Sequence, residues 1–136
     1  MVRTAFRNNG HRHFGADAIL LEEPDESVYF SAIANSSLRL LSAANLLEAS
    51  LVLMRLRTAG GTAALDNLLS RFRVQIVSVD ERQALLAREA FRRFGKGRDK
   101  AGLNFGDCFS YALAKETGQP LLFKGNDSLH TDLARA

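Results

Sequence analysis

Three carboxylates in this 136-residue chain stand where a carboxylate needs a reason. Glu48 lies in Leu46-Leu47-Glu48-Ala49-Ser50-Leu51-Val52-Leu53-Met54, so at helical spacing it shares a face with Leu51 and Val52. An acid on such a face calls for a partner or a metal ion. Asp107 sits in the first turn after Asn104, where backbone N–H groups and the positive helix end favour an anion. Asp127 follows a Gly-Asn turn directly after an apolar strand, at the carboxyl end of a sheet, where open α/β folds place their ligands. Each has a plain structural reading as well: Glu48 paired with Arg55 or Arg57, Asp107 complementing the helix dipole, and Asp127 capping the last helix. Taken together they point further, because strand ends and helix starts of several βα units converge, and three gathered carboxylates repel unless a cation sits among them. Hard oxygen donors suit Mg²⁺, with Mn²⁺ as a substitute, and the outline is that of a metal-dependent phosphodiesterase.

The elements that must position these acids alternate between the helical and the extended period with short connections, the pattern of a parallel α/β sheet. The spacing predicts a short helix over residues 25–35, a strand over 38–42 and a helix over 43–57 capped by the Ser42 hydroxyl. Gly60-Gly61 breaks that helix, and another over 62–71 leads to a β-branched strand over 74–79. Asp80 and Gln83 form a capping box for a helix running to about Phe94. Gly95 and Gly97 then make a loop, and Asn104 caps a helix over 105–117 that Gly118 and Pro120 end before the strand 121–123.

Composition bounds the function classes. With 46% hydrophobic and 24% charged residues and two prolines, the chain can bury one core and is neither disordered nor collagenous. A single cysteine, Cys108, excludes an intramolecular disulfide framework and a Cys-rich zinc site. No apolar run spans a bilayer and no secretory signal opens the chain, so a soluble, cytoplasmic protein is expected. The net charge of +3 is mild, yet Arg88, Arg92, Arg93, Lys96, Arg98 and Lys100 crowd one stretch that holds only Glu89 and Asp99 as acids. Such density suits either a solvated helix face or a nucleic-acid backbone.

Ser42 to Ser50, the string Leu103-Asn104-Phe105-Gly106-Asp107-Cys108-Phe109-Ser110-Tyr111-Ala112, and Leu121-Leu122-Phe123-Lys124-Gly125-Asn126-Asp127 resemble the second, third and fourth acidic motifs of VapC-type PIN-domain ribonucleases. The resemblance covers residue 18 to the end, so residues 18–136 are expected to form a PIN-like domain and 1–17 an atypical N-terminal segment. It implies the toxin half of a type II toxin–antitoxin pair, a Mg²⁺-dependent endoribonuclease blocked by a VapB-like antitoxin. It also implies a homodimer, for which Leu65 and Phe72 are candidate contacts, although core packing explains them equally. By the same resemblance Glu48, Asp107 and Asp127 are metal-binding catalytic acids, and Lys124, Arg98 and Lys100 contact RNA phosphates.

The N-terminus departs from this pattern. The family opens with a central apolar strand ending in Asp, of the form Val-Ile-Asp-Thr-Ser-Ala-Leu, whereas spacing back from Ile19 puts Arg12 at that Asp, with Asp17 the nearest acid. Residues 9–16 can be written, with synonymous codons chosen freely, as AAT GGT CAT CGA CAC TTC GGC GCT, and one base forward that string reads Met-Val-Ile-Asp-Thr-Ser-Ala-Leu. The segment is thus expected to be a frameshifted form of the first motif, real or introduced in sequencing, with the central strand vacant or poorly filled. With the first Asp restored, four acids would hold one or two Mg²⁺ ions that activate a water against the scissile phosphate, leaving a 3′-hydroxyl and a 5′-phosphate. Without it, the competing expectation is a non-catalytic PIN-like protein that only binds antitoxin or RNA.

Overall fold

The computed structural model describes residues 2–3, 5–8, 11–14, 31, 34–57, 59–119, 121–122 and 132–133, those before 15 and at 121–122 by backbone alone. Its strands are β1 (Val2–Arg3), β2 (Ala5–Asn8), β3 (His11–Phe14), β4 (Leu40–Ser42), β5 (Gln75–Val77) and β6 (Leu121–Leu122). The helices among the described residues are α1 (Ala43–Arg55), α2 (Gly61–Arg71), α3 (Glu81–Phe94) and α4 (Phe105–Thr117). Four strands form one sheet in the order β5-β4-β1-β6, every pair parallel, as the alternating periods require. No described helix is long and apolar enough to cross a membrane.

The sheet's centre is not vacant. β1 sits between β4 and β6, with Val2 opposite Leu40 on one side and Leu121 on the other. Two residues are a thin filling, which asks far less of the sequence than the continuous apolar run of a full buried strand. Residues 11–14, by contrast, pair antiparallel with β2 in a separate hairpin that the sequence reading did not foresee. The predicted helix over 25–35 lies largely outside the described residues.

Elsewhere local chemistry sets the boundaries. The Ser42 side chain accepts from the Ala44 N–H, so α1 starts at the very end of β4. β5 is shorter than the sequence suggested and forms the open edge of the sheet, with Gln75 and Ile76 exposed. Asp80 caps α3 by accepting from the Gln83 N–H at 2.8 Å, but Gln83 does not complete a capping box: its side-chain amide donates instead to Glu116 of α4.

Two apolar clusters hold the layers. Leu41, Ala49, Leu53, Leu65 and Leu69 join β4, α1 and α2, while Ala87, Ala90, Leu103, Cys108, Tyr111 and Ala112 join α3 and α4. Leu65 and Phe72 are both buried, so they serve the core and not a dimer surface.

Beyond β6, Asp132 is tied down by charge. Asp132 accepts from the Tyr111 hydroxyl at 2.6 Å and from Lys115 at 2.8 Å, with Arg93 at 3.4 Å, and Leu133 beside it packs on the α3–α4 cluster. Partial burial pushes the Asp132 carboxyl up, but hydrogen bonds from Lys115 and Tyr111 and the charges of Lys115 and Arg93 outweigh it and hold the group at about 2. A folded pKa below the ordinary 3.8 stabilises the fold above that value and loses the contribution as pH falls through about 2. Asp132→Asn is therefore expected to lower the urea midpoint at pH 7, and the gap to the native chain should close between about pH 4 and pH 2. A gap that stays constant over that range would contradict this account of the cluster.

Candidate active site

Because α1 starts at the end of β4, its first inward residue is Asn45, which is fully buried, and Glu48 follows nearly one turn later. Asn45 donates its Nδ2–H to the Gly106 carbonyl at 2.9 Å, and the buried Ser110 hydroxyl donates to Asn45 Oδ1 at 2.8 Å. These bonds fasten α1 to the first turns of α4. They also carry the Glu48 carboxylate onto Gly106: a Cβ built at Gly106 would fall on the Glu48 carboxylate, with Cδ and Oε1 both 2.5 Å from it. Only glycine leaves room for the acid at this point of the helix.

Asp107 is the next residue, and its role at the helix start is reciprocal. Asn104 Oδ1 accepts from the Asp107 N–H at 2.8 Å while Asp107 Oδ2 accepts from the Asn104 N–H at 2.9 Å, a capping box that fixes the side chain. Glu48 and Asp107 are both half-buried, the first seated against Gly106 and the second in the capping box of the same helix start. Asp127 and Lys124 lie outside the described residues. Among the described residues no third acid, histidine or cysteine joins the pair.

The sequence reading found both acids and missed what positions them. Asn45, a polar residue inward of an otherwise apolar helix and three before Glu48, was the available signal, with Ser110 and the helical Gly106 as its counterparts. Cys108, one residue on, is no nucleophile: burial, helped by the charge of Asp107, pushes its thiol up to about 12 and keeps it protonated at neutral pH.

The basic stretch divides in two. Arg92 is paired bidentately with Glu89, and Arg93 faces Asp132. Arg88, Lys96, Arg98 and Lys100 are exposed and form no ion pair with a described residue. The loop that carries the last three is closed at its base, where Lys96 N–H donates to the Leu103 carbonyl and Leu103 N–H to that of Phe94, each at 2.8 Å. Gly97, at φ +84°, makes the turn between Lys96 and Arg98. The loop thus presents exposed cations on an anchored backbone next to the start of α4.

Comparison with known proteins identifies the family. The family model described as PIN domain matches residues 17–134. The chain is 50% identical over 117 residues to Ribonuclease VapC30 of Mycobacterium tuberculosis, covering 86% of this chain and 89% of that one. It is equally similar to Ribonuclease VapC of Mycolicibacterium smegmatis, covering 91% of that protein, and 49% identical over 120 residues to Ribonuclease VapC28 of Mycobacterium tuberculosis, covering 88% and 90%. The crystal structure of Mycobacterium tuberculosis VapC20, described as a Sarcin-Ricin loop cleaving toxin, superposes with a TM-score of 0.68 over 90% of this chain and 92% of that one, at 18% identity, and shows the shared fold. The chain belongs to the PIN domain family, within its VapC group.

Proposed function

We propose that the chain is a metal-dependent endoribonuclease toxin, using Mg²⁺ or Mn²⁺ held by Glu48, Asp107 and Asp127 and restrained by a VapB-like antitoxin. The observation that carries this reading is the Glu48 carboxylate seated against Gly106 beside Asp107 at a helix start. Two hard oxygen donors brought to one helix start, with glycine leaving room for the first, are donor types that fit a small divalent cation. Such an ion, when bound, supplies an activated water and neutralises charge on the scissile phosphate. The chain's own residues do the rest: the capping box fixes Asp107, the Asn45–Ser110 bonds fix Glu48, and Arg98, Lys100 and Lys124 bind RNA phosphates. The name of the relatives as ribonucleases supports RNA as substrate. A homodimer and a cytoplasmic setting complete the proposal.

Glu48→Gln and Asp107→Asn keep shape and the helix cap but remove charge. Each should leave the circular dichroism spectrum unchanged and weaken Mn²⁺ binding by more than the roughly 10–100-fold that an outer-shell partner costs, with cleavage lost alongside. Normal Mn²⁺ titration in either variant would count against the site.

Gly106→Ala offers a test of opposite sign from the usual one. Alanine in place of glycine inside a helix normally stabilises by about 0.5–1 kcal/mol, whereas here its methyl would displace Glu48. The expected result is a drop of roughly 10–100-fold in Mn²⁺ affinity, as for a lost positioning contact. Unaltered affinity would show that Glu48 is not a ligand.

One observation favours a second reading, a non-catalytic protein that binds antitoxin or RNA: the central strand here is Val2–Arg3 and carries no acid. Replacing residues 9–16 by Met-Val-Ile-Asp-Thr-Ser-Ala-Leu, with that Met as the start, decides between them. Under the first reading the repaired chain gains at least tenfold in Mg²⁺-supported cleavage, an order of magnitude typical of metal-site groups. Equal silence of both chains on RNA would favour the binding protein.

A further inference from the structure

The mechanism leaves one surface unused. Between α3 and α4 lies an apolar groove of about 370 Å³, lined by Ala87, Arg88, Phe91, Phe105, Cys108 and Phe109 among others. We propose that it is a stacking subsite for one unpaired nucleobase of single-stranded RNA, with Phe105 as the platform; the inference rests on the RNA-cleaving reading above.

Phe105 is 77% exposed, an unusual state for a phenylalanine that the core does not need. Its ring is nevertheless held, packed edge-to-face on Phe109 one turn later with centroids 5.0 Å apart, so little side-chain freedom remains to be lost when something settles on it. Position gives the ring meaning. Phe105 is the first residue of α4 and Asp107 the third, about 3 Å further along the axis and about 200° around it, so a strand meets both by crossing the end of the helix. A strand crossing the start of α4 with its scissile phosphate near Glu48 and Asp107 passes the groove with a neighbouring nucleotide.

Charge and size select the occupant. Arg88 lines the groove, and the Arg98 guanidinium stands 5.7 Å from the Phe91 ring at its rim. Apolar floor with cations at the edge matches a base that carries its own phosphate. An amphipathic protein helix needs a row of anchor pockets along several turns, which a groove of this volume does not offer. Stacking needs no base-specific hydrogen bond, so the subsite adds affinity and fixes the strand without choosing sequence.

The test uses the full chain in EDTA, where binding is read without cleavage, and four labelled single-stranded octamers of U, A, C and G followed by fluorescence anisotropy. Phe105→Ala and Phe105→Leu should each weaken binding about 5- to 100-fold, the range of one lost base–aromatic stack, while Phe105→Tyr retains it and the melting temperature of all three stays near that of the native chain. Arg88→Ala should weaken binding and flatten its salt dependence. Native affinity in Phe105→Leu would overturn the proposal, since bulk without a π-face would then suffice, as for an apolar protein segment. Failure of the native chain to bind any octamer would overturn it too. Metal-supported cleavage of a long RNA by the native chain judges the ribonuclease reading separately: cleavage with no Phe105 effect on octamer binding removes only the stacking subsite, and stacking without cleavage removes only the nuclease.

Discussion

A single buried amide, that of Asn45, decides how α1 meets α4, and the site follows from that meeting. A buried polar group left without partners costs about 1–3 kcal/mol, so Asn45 tolerates only the arrangement in which Gly106 and Ser110 both answer it. Sliding either helix by a turn would break both bonds at once, whereas an all-leucine seam would accept the slip at little cost. The two hydrogen bonds thus act less as glue than as a register mark, and the acid nearly one turn beyond Asn45 inherits that register. Gly106 is the complementary constraint, since the approach that Asn45 enforces is open only where the facing helix lacks a side chain.

The two faces of α4 are built on different principles. Toward α1 it presents Gly106 and Ser110 and meets polar atoms; toward α3 it presents Cys108, Tyr111 and Ala112 and meets apolar ones. The apolar side supplies the stability on which two half-buried carboxylates draw, and polar contacts at its margin, Gln83 with Glu116 and the Asp132 cluster, keep α3 and α4 from rotating about a smooth seam. Helix α4 is therefore at once the floor of one core and the wall of the site.

Much of this was legible in the residues. The helices expected over 43–57, from 80 to about 94 and over 105–117 are found at 43–55, 81–94 and 105–117, and their caps at Ser42, Asp80 and Asn104 followed from local chemistry, because a cap is an interaction among residues two or three apart. Glu48 and Asp107 stood out because burial and helix position are readable one element at a time. The unread parts are non-local. Gln83 turned from its own helix start to Glu116, 33 residues away, and the Asn45–Gly106 bond spans 61. That residues 2 and 3 supply the thin filling of the sheet's centre went unread for a related reason: a strand of two residues leaves no period to detect, and its place is given only by neighbours far along the chain.

That strand has a consequence for how the molecule comes into being. β1 is made well before its partner β6, since Val2 lies opposite Leu121. Contacts of such separation close late, after the loop between their ends has been drawn together. During translation the helices and the β4–β5 pair can assemble in turn, but the sheet's central strand has only one neighbour until residue 121 has emerged. A nascent chain therefore carries an incomplete sheet for as long as β6 has not emerged from the ribosome.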